Sequence, residues 1–374
     1  MEEAFAIASS ERVDEEAIKE VSLKIKSIFP KTVKAFFVFF TPHYQPAALL
    51  KNIALTLKPH VTLGIQAPFL VFEDRIIEHG IVGCCFNKPD MEFREIFTRA
   101  NEPEAIEATV RRNLKNFYKE KQFLFSFFPA HANPSNCLRG FELSLGKIFN
   151  GIGAGFIKTY ATKNYQLLSD TVDEGLASVL SSGIETNPVR LEGFLPLGKP
   201  FTITRIRAQR NLILEINNRP AINIYKHYLD EKFDIFTKNR LFTLYPMGIQ
   251  DRQQTRLINI LDYLDDGSLA YIGPARENAL ANLMIFHPPS FVQSLKRRLG
   301  HEIARQHGVA FVVNSTVRKK ILKDYAAEEI RLIKNQLGNN IKVIGLYADY
   351  AVYPDAATKE GVIETGNTYI ALCQ

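Results

Sequence analysis

The feature that most constrains this chain is a unit that recurs along it: an apolar strand, a helix, a glycine-rooted strand, then further strands. In its first occurrence KAFFVFFT (34–41) passes through PHYQP into a helix with Leu50, Ile53, Ala54 and Leu57 on one face. The stretches HVTLGIQAP and HGIVGCCF then read as strands. An amphipathic helix carrying Ile106, Val110, Leu114 and Phe117 introduces the second occurrence. There QFLFSFF leads to a helix with Leu138, Phe141, Leu145 and Ile148, then to NGIGAGFIKTY and a strand within TVDEGLASVLSSG. The third closes the chain with AFVVNST, a helix bearing Leu322, Ala326, Ile330, Ile333 and Leu337, its expected C-cap Gly338, and the strands VIGLYADYAVYP and NTYIALCQ. A strand LMIFHPP and a helix with Val292, Leu295, Leu299 and Ile303 feed into this last copy.

Between the second and third copies the texture changes. FTITRIRAQRNLILEIN alternates as a hairpin with its turn at 208–211, and Pro220 is expected at the first position of a short helix. Periodicity lapses near 184–192. The expected organisation is an N-terminal helix within 1–30, one domain over 31–187 and another over 188–374. Strands joined by single crossing helices and hairpins predict an α/β or α+β fold, with mixed sheets covered by helices in two related halves.

At 374 residues, 46% hydrophobic and 23% charged, the chain fits a soluble globular protein. Its net charge of +6 is dispersed, and Lys296-Arg297-Arg298 lies in a helical pattern, which reads as a solvated helix face and not a nucleic-acid footprint. The four cysteines, Cys84, Cys85, Cys137 and Cys373, have no CxxC or histidine spacing, so reduced thiols in a cytoplasmic protein are expected. The acidic N-terminus lacks signal-peptide order, and no apolar run reaches the roughly 18–20 residues of a membrane span.

Catalytic and cofactor motifs are sparse. GIGAGF lacks the third glycine of a dinucleotide loop and precedes a strand, no P-loop occurs, and His301 and His307 have the wrong spacing for an HExxH zinc helix. Neither Ser144 nor Ser315 stands in a GxSxG elbow. His287, at the strand end in MIFHPPS, is weighed as a backbone-satisfied residue against a haem ligand facing a pocket.

Several stretches together resemble the FIST family. GFLPLGKPFTITRIRAQRNLILEINNRPAINIYKHYL is similar to the opening of the FIST C-terminal domain. LFTLYPMGI, LDDGSLAYIG, AFVVNSTVRKKIL with Arg318, the Glu328-Glu329 helix, VIGLYADYAVYP and TYIAL follow in the family's order. KAFFVFFTPHY, LGIQA and IGAGF resemble the FIST N-terminal domain.

The resemblance implies a non-catalytic sensory module that binds a small ligand and regulates a separate partner such as a histidine kinase, diguanylate cyclase or chemoreceptor. A subset of such proteins are haem-binding nitric-oxide sensors, and a scaffold with a decayed pocket is a further alternative. Carried onto this chain, the ligand-binding residues are Gln66, Ser315, Arg318, Tyr347 and Asp349, with His287 added only if haem binds. The departures are specific. Ile65 and Gln66 replace small or thiol residues, Phe156 replaces an acid, Ser315 a cysteine, Tyr350-Ala351 a glycine–glutamate pair, and Gly366 an asparagine. These losses disfavour a zwitterionic ligand, which needs charge-matched partners. Strand alternation predicts that Tyr347 and Asp349 share a face, with Asp349 the carboxylate left to serve a site. Arg318 is expected either to pair with Glu328 or Glu329 or to reach the ligand.

Overall fold

The computed structural model describes every residue except 1–3, 32, 116, 118–121, 147–149, 158–163, 239–240, 252–253, 301–306 and 356–357. Ile148, His301 and Ile303 of the sequence reading therefore lie outside the described residues. The first unit runs β1 (Phe5–Ser10), α1 (Asp14–Ile28), β2 (Ala35–Phe40), α2 (Pro46–Thr56), β3 (Val61–Gln66), β4 (Leu70–Phe72), β5 (Arg75–Ile77) and β6 (Ile81–Phe86). The second repeats that order with β7 (Glu92–Thr98), α3 (Pro103–Asn113), β8 (Phe123–Phe128), α4 (Pro134–Leu145), β9 (Gly151–Gly155), β10 (Gln166–Leu168), β11 (Thr171–Asp173) and β12 (Leu176–Ser182).

The third unit opens with β13 (Thr186–Leu191) and is then interrupted. The insert comprises β14 (Phe194–Arg207), β15 (Leu212–Ile216), β16 (Arg219–Pro220), α5 (Asn223–Leu229), α6 (Phe233–Lys238), β17 (Met247–Asp251), β18 (Gln254–Tyr263), β19 (Leu269–Ile272) and β20 (Ala279–Phe286). The unit resumes with α7 (Pro288–Arg298), β21 (Gly308–Ser315), α8 (Thr316–Leu322), α9 (Ala326–Leu337), β22 (Ile341–Ala348), β23 (Tyr350–Pro354), β24 (Gly361–Glu364) and β25 (Thr368–Cys373).

Each unit builds one mixed six-stranded sheet, and each sends its hairpin into another unit's sheet. The orders are β1-β6-β2-β3-β10-β11, β7-β12-β8-β9-β23-β24 and β13-β25-β21-β22-β4-β5. The hairpins thus pass from the first unit to the third, the third to the second, and the second to the first, which closes a cycle. Because no unit completes its own sheet, the three are interlocked. The boundary expected at 187/188 falls inside β13.

The parallel pairs share one register: Val38 faces Gly64, Ser126 faces Gly153, and Val312 faces Gly345. That equivalence places Phe37, Phe125 and Phe311 at corresponding positions, and their rings meet on the central axis at centroid separations of 4.8, 5.2 and 5.9 Å. The inner faces of all three sheets bury one another there. Outside, α1 and α2 cover the first sheet, α3 and α4 the second, and α7 and α9 the third. Strands buried on both faces explain the near-continuous apolar runs in the sequence.

The insert is a closed barrel, since β14-β20-β17-β18-β19-β15 returns to β14. Closure removes free sheet edges. Its hairpin turn at Ala208–Arg210 ends on Asn211 in the left-handed region, φ 52°, as the sequence implies. Pro220 differs from expectation: it pairs with Glu215 in the short edge strand β16, where a missing N–H is tolerated, and α5 starts only at Asn223.

Candidate functional site

The strand ends of the third unit carry most of the sequence-predicted residues. Ser315 ends β21 and caps α8, its hydroxyl accepting from the N–H groups of Val317 and Gly366, each at 3.2 Å. The neighbouring Asn314 accepts from Ser315 N at 2.8 Å and from the Thr368 hydroxyl at 2.9 Å through its Oδ1.

Arg318 lies one turn further on and is 0% exposed. Its guanidinium stands 2.6 Å from Glu329 Oε1 and is sandwiched between Phe286 and Phe291, 4.6 and 4.2 Å from the ring centroids. Burial pushes the Arg318 pKa down, and the Glu329 charge opposes that shift. Arg318 is thus a structural ion pair with Glu329, not Glu328, which pairs with Arg331 on the surface. Tyr347 packs into the same helix-covered layer, edge-on to Phe69 at 6.0 Å, and burial pushes its hydroxyl pKa well up.

Asp349 does not share a face with Tyr347. The stretch read as one strand is two, β22 and β23, which belong to different sheets, and Asp349 occupies the link between them. Its Oδ1 accepts from the Thr316 hydroxyl at 2.5 Å and its Oδ2 from Ile157 N at 2.9 Å. Gln66 is placed elsewhere. It ends β3 in the first sheet, where its N–H donates to Tyr165 O at 2.9 Å and its carbonyl accepts from Asn164 Nδ2 at 2.6 Å.

His287 is an exposed helix cap and not a pocket residue. Its Nδ1 accepts from Ser290 N at 3.3 Å and contacts the Ser290 hydroxyl at 2.9 Å. An exposed histidine lacks the apolar enclosure that a haem ligand requires, so it does not fit that role.

Ser315 and Asp349 line one narrow polar crevice with Asn314, Tyr350, Glu364, Thr365, Gly366, Asn367 and Tyr369; Gln66, Arg318 and Tyr347 do not. Beside it, between the core and the barrel, lies an open cleft of about 580 Å³. The N-terminal turn of α4, Phe156, Tyr350 and Ile363 form its core side, and Asn211, Arg256, Tyr271 and Pro274 of the insert form the other. Tyr350 lines both spaces. Its ring lies flat on Gly155, where an added Cβ would come within 2.3 Å of the Tyr350 oxygen.

The wall between crevice and barrel is a charge network that sequence reasoning missed. Glu364, fully buried, accepts from Arg190 Nε at 2.9 Å and Nη2 at 2.8 Å, from the Tyr353 and Tyr369 hydroxyls at 2.8 and 2.5 Å, and from Leu257 N at 2.7 Å. Arg190 also reaches Glu192 and, at 2.6 Å, the carbonyl of Thr255, and Arg256 pairs with Asp355 at 2.8 Å. Both bridges tie β18 of the barrel to the third unit.

Residues 34–219 match the FIST N domain and residues 221–349 match the FIST C domain. The chain belongs to the FIST family. FIST domains are small-ligand sensory domains of signalling proteins. No curated relative matches this FIST protein. Among solved structures, a cyanuric acid hydrolase from A. caulinodans is similar at 8% identity and a TM-score of 0.38, with 98% of each chain covered. A likeness that low transfers no chemistry to this FIST protein.

In its described residues no group of three or more histidine, cysteine or acidic side chains could hold a metal ion. None of its described helices is long and apolar enough to cross a membrane.

Proposed function

We propose that this FIST protein is a non-catalytic cytoplasmic sensory module in which a small ligand bridges the barrel and the three-unit core and so sets the state read by a separate signalling enzyme or chemoreceptor. The observation that carries the proposal is the cleft of about 580 Å³, whose lining comes from both bodies. That volume lies in the range of small-molecule sites, and sites between two packed bodies are common. A ligand held there has contacts on both sides, which is the differential interaction needed to shift one body against the other.

A non-catalytic role is favoured by the crevice chemistry. Ser315 is committed to capping α8, and no histidine, cysteine or lysine stands among the crevice's described lining residues. The partner is a histidine kinase, a diguanylate cyclase or a chemoreceptor, the partner types the resemblance implies.

A thermal-shift screen of the purified protein against a metabolite library, followed by native mass spectrometry, tests this reading. The expected result is a stabilising ligand whose effect is lost when Ile363→Trp fills the cleft. A hit that stabilises wild type and Ile363→Trp equally, or no hit in any pool, overturns the cleft as the sensory site.

A further inference from the structure

Four side chains lining the closed crevice have polar atoms with no hydrogen-bond partner among the described residues: Asn314 Nδ2, Tyr350 OH, Thr365 Oγ1 and Asn367 Oδ1. Each residue is 3% exposed or less. A buried group left unsatisfied costs about 1–3 kcal/mol, so such atoms are scarce in native proteins and do not ordinarily gather in one place. The crevice leaves no room for a water molecule, so water does not satisfy them in this arrangement.

One wall of the crevice is a single side chain, Tyr350, which packs beside Phe128 at a ring separation of 6.0 Å. The ring of Tyr350 lines both the crevice and the open cleft, its hydroxyl has no hydrogen-bond partner among the described residues, and one face rests on Gly155, which has no side chain. Swinging the ring toward the cleft opens the three orphaned groups behind it, on Asn314, Thr365 and Asn367, to whatever the cleft admits.

We infer that Tyr350 is a door and that the crevice behind it binds a small, uncharged molecule of the amide or urea class. The charges nearby are already matched. Both Asp349 oxygens are occupied by Thr316 and Ile157, and Glu364 is saturated by Arg190, two tyrosines and a backbone N–H. A charged ligand would be desolvated there without a counter-charge. The unpaired groups behind the door instead offer a donor in the Asn314 amide, an acceptor in Asn367 Oδ1, and the Thr365 hydroxyl, which serves as either. A carbonyl oxygen beside an N–H group satisfies that set. The inference rests on the cleft being open to ligands, as proposed above, and names what its innermost part recognises.

Acetamide is the probe, followed by ligand-observed NMR on the full chain. Gly155→Ala forces the Tyr350 ring off its seat and Tyr350→Ala removes it, so either variant reports if the other fails to fold, as judged by circular dichroism. Both are expected to bind acetamide at least tenfold more tightly than wild type, because the closed door no longer competes. Adding Thr365→Val and Asn367→Leu to either variant is expected to abolish the gain. Equal affinity in wild type and the folded open-door variants overturns the inference, as does a gain that survives the loss of Thr365 and Asn367. A cleft ligand that still binds Tyr350→Ala while acetamide shows no gain refutes the door alone. An acetamide gain without any ligand lost on Ile363→Trp supports the door and sinks the cleft reading.

Discussion

Substituting Glu364 by glutamine preserves its size and removes its charge, which makes it a sharp test of how the barrel is held. The carboxylate accepts five hydrogen bonds, two of them from Arg190. An amide replaces one accepting oxygen by an NH₂ group that faces donors, so at least two of the five are lost. Arg190 keeps Glu192 and the Thr255 carbonyl but loses its buried counter-ion. Breaking a buried pair from one side costs about 3–5 kcal/mol, and the retained contacts put Glu364→Gln near the lower end, about 3 kcal/mol. Urea unfolding followed by circular dichroism reads this directly. Because the two residues share one network, the double variant Arg190→Met/Glu364→Gln is expected to cost about 2 kcal/mol less than the sum of the singles.

Acid adds a second readout. Burial alone would raise the Glu364 pKa, but the charge and hydrogen bonds of Arg190, with those of Tyr369 and Leu257, outweigh it and leave the group below the ordinary carboxylate value. A folded-state pKa below the unfolded one means that the ionised group stabilises the fold fully above the unfolded pKa, about 4.3. That contribution is lost as pH falls through the depressed folded value. The gap between wild type and Glu364→Gln should therefore be constant near neutrality and narrow in strong acid. A variant within about 1 kcal/mol of wild type at pH 7 would refute the claim that this network, which reaches the barrel through Thr255 O and Leu257 N, contributes to holding it.

Arg318→Lys keeps the charge but loses the planar stack between Phe286 and Phe291, so a loss of about 1–2 kcal/mol in urea unfolding is expected. His287→Ala removes a helix cap and should cost about 1 kcal/mol, with haem-titration spectra indistinguishable from wild type. Burial pushes the Cys137 thiol up to about 12 and raises Cys84, Cys85 and Cys373 as well, so none should react with iodoacetamide at pH 8 until the protein is unfolded.

The repeats were legible because each unit writes the same local physics: strands buried on both faces, a helix with one apolar stripe, and a glycine where a parallel neighbour presses close. A Cβ on Gly345 would meet the Val312 carbonyl at 2.0 Å, so that glycine is required by packing and is visible as a marker in VIGLY. The hairpin exchange was not legible, since nothing in the short strands Leu70–Phe72 or Gln166–Leu168 states which sheet they join. The same exchange misled the reading of Asp349, because alternation holds only within one strand and the chain changes sheets there. Ser315 and Arg318 were proposed from the resemblance and Tyr347 and Asp349 from strand alternation beside it; of the four, only Ser315 and Asp349 reach the crevice. Thr365 and Asn367 were not singled out, and Arg190 and Glu364, 174 positions apart, carry no local signal of their pairing.

The topology also bears on where a sensory change can occur. Cyclic exchange of hairpins makes each core sheet depend on another unit, so moving one unit alone would break inter-strand hydrogen bonds in two sheets at once. The barrel is attached differently. Its chain leaves and returns at adjacent points, with His287 N donating to Gly193 O at 2.7 Å and Phe194 paired with Phe286. A body joined through one two-stranded stalk can pivot without unravelling either partner, and the restraints on it here include the bridges from Arg190 and Arg256 and the hydrogen bonds from Leu257 N to Glu364 and from Gln254 to Asp355. The cleft lies between these same two bodies, so a ligand there acts on the joint between barrel and core, whereas one bound within the core would have to strain three interlocked sheets.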